Sequence, residues 1–190
     1  PPQPHVLEYE EAPAFPAGRD SGELAVLPYL RYYGVRHVDA LVVSHGDLDH
    51  RGGANSVLGG LPVARVLAGP SVGPLAQPRA PCRRGQRWIW DGVQFEMLHP
   101  ARSARASDND SSCVLLIHST AGSALLAGDV EAVAETEIVD SGLPGASVVA
   151  VPHHGSLTSS IARFVAAADP ALALVSAGYR NRWGLPRREV

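Results

Sequence analysis

Short apolar blocks alternate along this chain with longer stretches of helical character. Residues 24–33 read as a helix despite Pro28, which predicts a kink or a first helical turn there. Residues 40–43 are an apolar run of strand length, followed by a short helix at about 53–58 and a strand at 64–68. A stretch rich in Pro and Gly, residues 69–86, predicts a loop of flexible or lid-like character. Trp88-Ile89-Trp90 then meets Asp91-Gly92, a hairpin-turn pair, so a ring packs inward while the alternate position faces out. These tryptophans read as structural rather than as a base-stacking platform. Strands at 114–118 and 123–127, a helix at 131–139, a strand at 147–151, a helix at 160–168 and a strand at 171–176 complete the alternation. No repeat or low-complexity linker divides residues 1–190, which read as one domain.

Polar chemistry gathers where the strands end. His45-Gly46-Asp47-Leu48-Asp49-His50 packs two imidazoles and two carboxylates into six residues behind the 40–43 strand. Groups this polar are costly to bury unless something ionic satisfies them, and a divalent cation does so. In a chain leaving the strand as a loop, His45, Asp47 and Asp49 alternate toward a common point and His50 adds a nitrogen. Gly52 and Gly53 follow, where backbone passes close to something or starts a helix. Nitrogen with carboxylate oxygen suits zinc, iron or manganese, and the lack of cysteine ligands argues against a zinc finger. The plainer alternative is a solvated acidic turn with two incidental histidines. The 123–127 strand ends in Gly128-Asp129, and the 147–151 strand in Pro152-His153-His154-Gly155-Ser156. Singly, Asp129 reads equally as a helix cap and the histidine pair as a turn. Jointly, three strands delivering such groups at their carboxyl ends point to one shared site.

These motifs, taken in order, resemble the metallo-β-lactamase superfamily. More narrowly, they are similar to the soluble domain of bacterial competence channel proteins of the ComEC type, in which an Asp, here Asp47, replaces the second His of the common His-x-His-x-Asp-His signature. Leu27-Pro28-Tyr29-Leu30, Trp88-Ile89-Trp90-Asp91-Gly92-Val93, Asn109-Asp110-Ser111-Ser112-Cys113-Val114-Leu115 and Gly178-Tyr179-Arg180-Asn181-Arg182 extend the match over nearly the whole chain. Two departures stand out. Tyr9-Glu10-Glu11-Ala12-Pro13 replaces the family's opening strand pair, so the first hairpin is absent or altered, and Leu185 stands where relatives commonly carry His.

The resemblance implies an α+β fold, a four-layer αββα sandwich, with two divalent metal ions. His45 and Asp47 are expected on one ion and Asp49, His50 and one of His153 and His154 on the second, with His154 taken as that ligand and Asp129 as the bridge. Asp47, replacing an imidazole, tilts the preference toward Mn2+ over Zn2+. Asp49, His153 and His154 are the catalytic candidates, one of the paired histidines touching phosphate or protonating a leaving group. Asn109, Ser156 and Arg180 are candidate substrate contacts. The implied activity is hydrolysis of DNA by a metal-dependent deoxyribonuclease that degrades the non-imported strand during natural transformation. Single-stranded DNA, the membrane-channel portion of the same polypeptide and other competence proteins are the expected partners. The implied location is a bacterial inner membrane, with this domain on the outer, periplasmic face. The alternatives are a non-catalytic, metal-stabilised DNA-docking module and a small-molecule phosphodiesterase or esterase.

Composition sets bounds on this picture. The chain is 45% hydrophobic over 190 residues, enough for one sizeable core, and no apolar run approaches the roughly 20 residues of a spanning helix. No secretory signal is visible in residues 1–11. Net charge is −3 with 16 basic residues, all arginine, so nucleic-acid contact must be local. Arg79, Arg83, Arg84 and Arg87, then Arg102 and Arg105, then Arg180, Arg182, Arg187 and Arg188 are the candidate patches, against plain solvated surface. Cys82 and Cys113 allow one disulfide, yet Cys113 lies in an apolar strand and reads more simply as a small buried hydrophobe. His5, His37, His99 and His118 lack acidic neighbours at ligand spacing and read as structural or surface residues.

Overall fold

Side-chain alternation along the strands sorts this chain into layers. The computed structural model describes residues 18–101, 108–178 and 180–190, and the readings at His5, Tyr9–Pro13, Arg102, Arg105 and Tyr179 lie outside them. One sheet is parallel, in the order β1 (Leu41–Val43), β2 (Val66–Ala68) and β3 (Ala80–Pro81). The second runs β4 (Arg87–Trp90), β5 (Val93–His99), β6 (Val114–Ser119), β7 (Gly122–Leu126), β8 (Val148–Ala150) and β9 (Leu172–Leu174). It is antiparallel from β4 to β7 and parallel from β7 to β9. Parallel neighbours need a crossover, and the helices Ala132–Asp140 and Ala162–Ala168 supply it.

In β6, Val114 and Leu116 pack with Ile138 and Phe164 of those two helices, while Cys113 and Leu115 turn the other way onto Met97 and Leu67. In β1, Val42 joins that inter-sheet layer, and Leu41 and Val43 pack outward with Ala54 of the helix Ala54–Gly60. Helix, sheet, sheet, helix is the αββα sandwich of the α+β class. Among the described residues no helix is long and apolar enough to cross a membrane.

The helical elements in chain order are α1 (Leu27–Tyr32), α2 (Leu48–Arg51), α3 (Ala54–Gly60), α4 (Ala132–Asp140) and α5 (Ala162–Ala168). A π-helical turn, Gly22–Val26, runs without a break into α1, so Pro28 lies just past the widened turn of a continuous helical stretch. Buried Leu27 lies against Gly60, where a β-carbon would come within 2.5 Å of it.

Four expectations need correction. The metal motif is not a plain loop: Leu48–Arg51 is helical, so Asp49 and His50 stand on a helical turn that Asp47 opens in extended conformation. The 69–86 segment contains β3, because pairing with β2 continues there. Asp129 is no helix cap; the Asp110 carboxylate accepts the Glu131 and Ala134 N–H groups and caps α4. Cys113 is buried yet not free. Cys82, bonded through its N–H to Ala68 beyond β3, meets it across the inter-sheet layer in a disulfide with Cα atoms 5.8 Å apart. The Trp88 ring stacks on Phe95 at 5.2 Å, Trp90 tilts against the same ring, and Ile89 faces out.

Candidate metal centre

Three strand ends converge on one point. The end of β1 delivers Ser44 and His45, and Gly46 then passes so close to the Ser71 carbonyl that a β-carbon would sit 2.7 Å from it. Two hydrogen bonds fix this turn: Gly46 N–H donates to Ser71 Oγ at 3.0 Å, and Arg51 Nε donates to the Gly46 carbonyl at 2.6 Å. The end of β7 runs into Gly128, at φ +59°, which turns Asp129 inward. The end of β8 enters the turn Pro152–Gly155, where His153 and His154 both adopt left-handed backbone, φ +49° and +54°. Two adjacent non-glycine residues in that region cost about 1–3 kcal/mol each and persist where their surroundings over-determine them.

Asp129, 5% exposed, is the hub. Its carboxylate lies 3.0 Å from His50 Nε2, 3.4 Å from His154 Nε2 and 4.0 Å from His45 Nε2. Asp49 stands 3.1 Å from His154 Nε2 and 3.8 Å from His50 Nε2, and Asp47 stands 3.6 Å from His45 Nε2. His50 and His154 present their Nε2 atoms to each other at 3.4 Å. Two compact donor groups result, His45 with His50 and Asp129, and Asp49 with His50 and His154.

The electrostatics follow from burial and contact. Burial works to raise Asp129, but hydrogen bonds from His154 and His50 outweigh it and hold the carboxyl far below the usual range. His154 is pushed up to about 9, chiefly by its hydrogen bond to Asp129 against the cost of burial. Burial, then repulsion from His50, pushes His45 down despite the nearby carboxylates.

The donor set fits a divalent cation. His45 is fully buried, and its Nε2 has no hydrogen-bond partner although it faces two carboxylates at 3.6 and 4.0 Å, too far to bond directly. Nitrogen and oxygen atoms 3–4 Å apart have the separation of two ligands on one cation, each about 2 Å from it. His154 donates Nδ1–H to the Ser176 carbonyl at 2.5 Å, which turns Nε2 toward the cluster.

His153 is not in this cluster. Its Nδ1 is 3.1 Å from Glu131 Oε1 and 3.1 Å from Thr158 Oγ1. Thr158 Oγ1 also donates to Glu131 at 2.7 Å, Asn109 Nδ2 approaches the same oxygen at 3.5 Å, and Ser156 Oγ joins Thr158 at 3.1 Å. His153, Asn109 and Ser156 therefore share one polar cluster beside the centre. Arg180 lies in the turn after β9, at φ +48°. Leu185 precedes Pro186, which packs against Gly155 next to His154. Sequence reasoning missed Ser44, Glu131, Thr158 and the Ser176 carbonyl. The available signals were a hydroxyl directly before His45 and an acid two residues after Asp129.

The family model described as the metallo-beta-lactamase superfamily matches residues 13–179. The chain belongs to that superfamily, whose members are mostly metal-dependent hydrolases. It is 35% identical over 173 residues to Recombination protein 2 of Haemophilus influenzae, covering 91% of this chain and 22% of that protein. It is 37% identical over 172 residues to Competence protein ComA of Neisseria gonorrhoeae, covering 90% and 24%. Over 188 residues it is 34% identical to the uncharacterized protein YcaI of Escherichia coli, covering 97% and 24%. The chain thus spans about a quarter of the length of the curated relatives it matches.

Proposed function

We propose that this domain is a metal-dependent deoxyribonuclease of a DNA-uptake channel, hydrolysing phosphodiester bonds of the strand that is not imported during natural transformation. The observation that carries this reading is Asp129, a buried carboxylate in reach of three imidazoles from separate loops. The competence and recombination names of the relatives support the DNA context.

His45 and Asp47 would hold one divalent ion, Asp49, His50 and His154 a second, with Asp129 between them. Two such ions supply Lewis-acid polarisation of a phosphodiester and a water of lowered pKa. The carboxylate-rich set, with Asp47 in place of an imidazole, favours Mn2+ over Zn2+. His153, oriented by Glu131, forms with Asn109 and Ser156 the polar wall against which the substrate lies, and Arg180 faces its phosphates. Leu185 offers no donor to a phosphate, which narrows the range of substrates held from that side.

The domain works as part of a longer membrane-channel polypeptide, on the outer face of the inner membrane, alongside other competence proteins. The Cys82–Cys113 disulfide supports that placement, since such bonds persist in oxidising compartments.

The test is incubation of the purified domain with single-stranded DNA and Mn2+ beside Asp49→Ala. Cleavage by the wild type that disappears in the variant is the expected result. DNA binding without cleavage in both proteins would replace the nuclease with a docking module, and neither binding nor cleavage would point to a small phosphodiester or ester substrate.

A further inference from the structure

Ser44 holds a position that the ligand set does not explain. Its hydroxyl oxygen lies 3.2 Å from Nδ1 of His45 and 3.1 Å from Nδ1 of His50, on the side of both rings away from the carboxylates. The rings are 4.2 Å apart between centroids and tilted by 47°, so one small group reaches both. Resting on the metal-centre reading above, we infer that Ser44 is a positioning residue that, when a cation is bound, fixes both imidazoles in the tautomer whose Nε2 carries the lone pair.

Proton counting leads there. The Nε2 atoms of His45 and His50 face Asp129, at 4.0 and 3.0 Å, and these are the atoms a cation would take. An imidazole that ligates through Nε2 carries its hydrogen on Nδ1, so both rings must donate on their far side. A serine oxygen has two lone pairs and one hydrogen. It therefore accepts from both rings at once and leaves its own hydrogen to point elsewhere. Alanine offers neither ring an acceptor, and among the described residues His45, fully buried, has no other hydrogen-bond partner at Nδ1. The Ser44 backbone is itself anchored, its carbonyl accepting from Cys113 N–H at 2.9 Å. The oxygen is thus held in place from the disulfide side of the inter-sheet layer.

The experiment uses Zn2+ alone as probe, because it is diamagnetic, with wild type, Ser44→Ala and Ser44→Thr. Zn2+ affinity is read by competition with a chromophoric chelator, and the histidine tautomers by long-range proton–nitrogen correlation on protein labelled with nitrogen-15. Wild type should show Nδ1–H on His45 and His50. Loss of such an outer partner should weaken affinity by about 10–100-fold in Ser44→Ala, and Ser44→Thr should restore it. Unchanged affinity in Ser44→Ala, or weakened affinity that Ser44→Thr does not restore, overturns the inference. If Ser44→Ala does not fold, the Zn2+-loaded wild type still decides, because an Nε2–H signal from either ring is incompatible with the assignment. A wild type that takes up no Zn2+ overturns the metal-centre reading itself, a result distinct from all of these.

Discussion

Glu131 and His153 lie 3.1 Å apart, directly beside Asp129 and His154 at 3.4 Å, so two acid–imidazole pairs run side by side between the same two loops. The inner pair belongs to the candidate metal centre, and the outer one joins the two loops. Glu131 Oε1 takes Thr158, His153 and Asn109 together. Glu131→Ala should therefore lower stability by about 1–2 kcal/mol, a figure reduced for the pair's partial exposure to solvent. Glu131→Gln, which keeps one acceptor oxygen, should lose much less. Chemical denaturation of the two variants distinguishes them, and equal losses would refute the idea that this one oxygen organises the loop.

Gly128 makes the turn that aims Asp129. At φ +59°, and with a β-carbon predicted to fall 2.9 Å from Ser112 Cβ and 3.2 Å from Ser44 Cβ, it has neither the backbone freedom nor the space for a side chain. Gly128→Ala should cost about 2–4 kcal/mol from the left-handed backbone and overpacking together, and should weaken cation binding as well. Thermal melting with and without Mn2+ measures both effects. A variant that melts with the wild type would show that the turn relaxes without penalty.

Much of this architecture was legible in the sequence because buried strands and ligands are written locally. The run ending at Val43 followed by His45, Asp47, Asp49 and His50, and the later strand ends carrying Asp129 and His154, contain the residues that the fold brings together in the candidate centre. What the sequence left open depends on contacts between distant residues. The different places of His153 and His154 rest on separate partners, Glu131 for the first ring and the Ser176 carbonyl for the second, neither of them next to the histidines in sequence. The Cys82–Cys113 pairing needs β3 to run beside β2, and nothing in the Pro- and Gly-rich 69–86 stretch announces a two-residue strand. The helical turn at Leu48–Arg51 was hidden for another reason: the alternation of its acids reads as extended chain until Asp47 starts the turn.

The disulfide closes a loop with a sequence separation of 31 residues and joins the end of β3 to the start of β6. Loop-closure entropy for that length corresponds to about 3–4 kcal/mol of stabilisation. Dithiothreitol, or the double replacement Cys82→Ala with Cys113→Ala, should lower the melting temperature by several degrees. Reduction without any shift would show that the inter-sheet packing of Met97, Leu67 and Leu115 suffices alone.

Buried His99 gives the chain a pH dependence outside the metal centre. Its Nδ1 meets the Ser112 carbonyl at 3.1 Å, and burial pushes it down, with Arg84 adding to that and the Ser112 contact, Glu137 and Asp110 opposing it. With the folded value below the unfolded one of about 6.5, the native state binds fewer protons, so this contribution is fully present above that pH and is lost as pH falls below it. His99→Gln, which does not titrate, should be less stable than wild type at pH 7.5, and the gap should narrow toward pH 5. Paired melting curves across that range provide the check; a constant gap would mean that His99 is already satisfied in both charge states.

Metal removal tests the centre without relying on activity. With Asp47, Asp49 and Asp129 drawn together, the folded state carries a local negative charge that a divalent ion neutralises, and the unfolded chain does not assemble these groups. Added Mn2+ should raise the melting temperature in a concentration-dependent way, adding about 2.7 kcal/mol of stability at a hundred times the dissociation constant, and a chelator should reverse both. The variants should rank by burial. Asp129→Asn removes the charge that meets three imidazoles and should abolish the Mn2+ effect, whereas Asp49→Ala, at a carboxylate 62% exposed, should weaken it and leave the metal-free fold nearly unchanged. Equal Mn2+ stabilisation of wild type and Asp129→Asn would place the cation elsewhere on the molecule and remove the basis for a hydrolytic centre between these three loops.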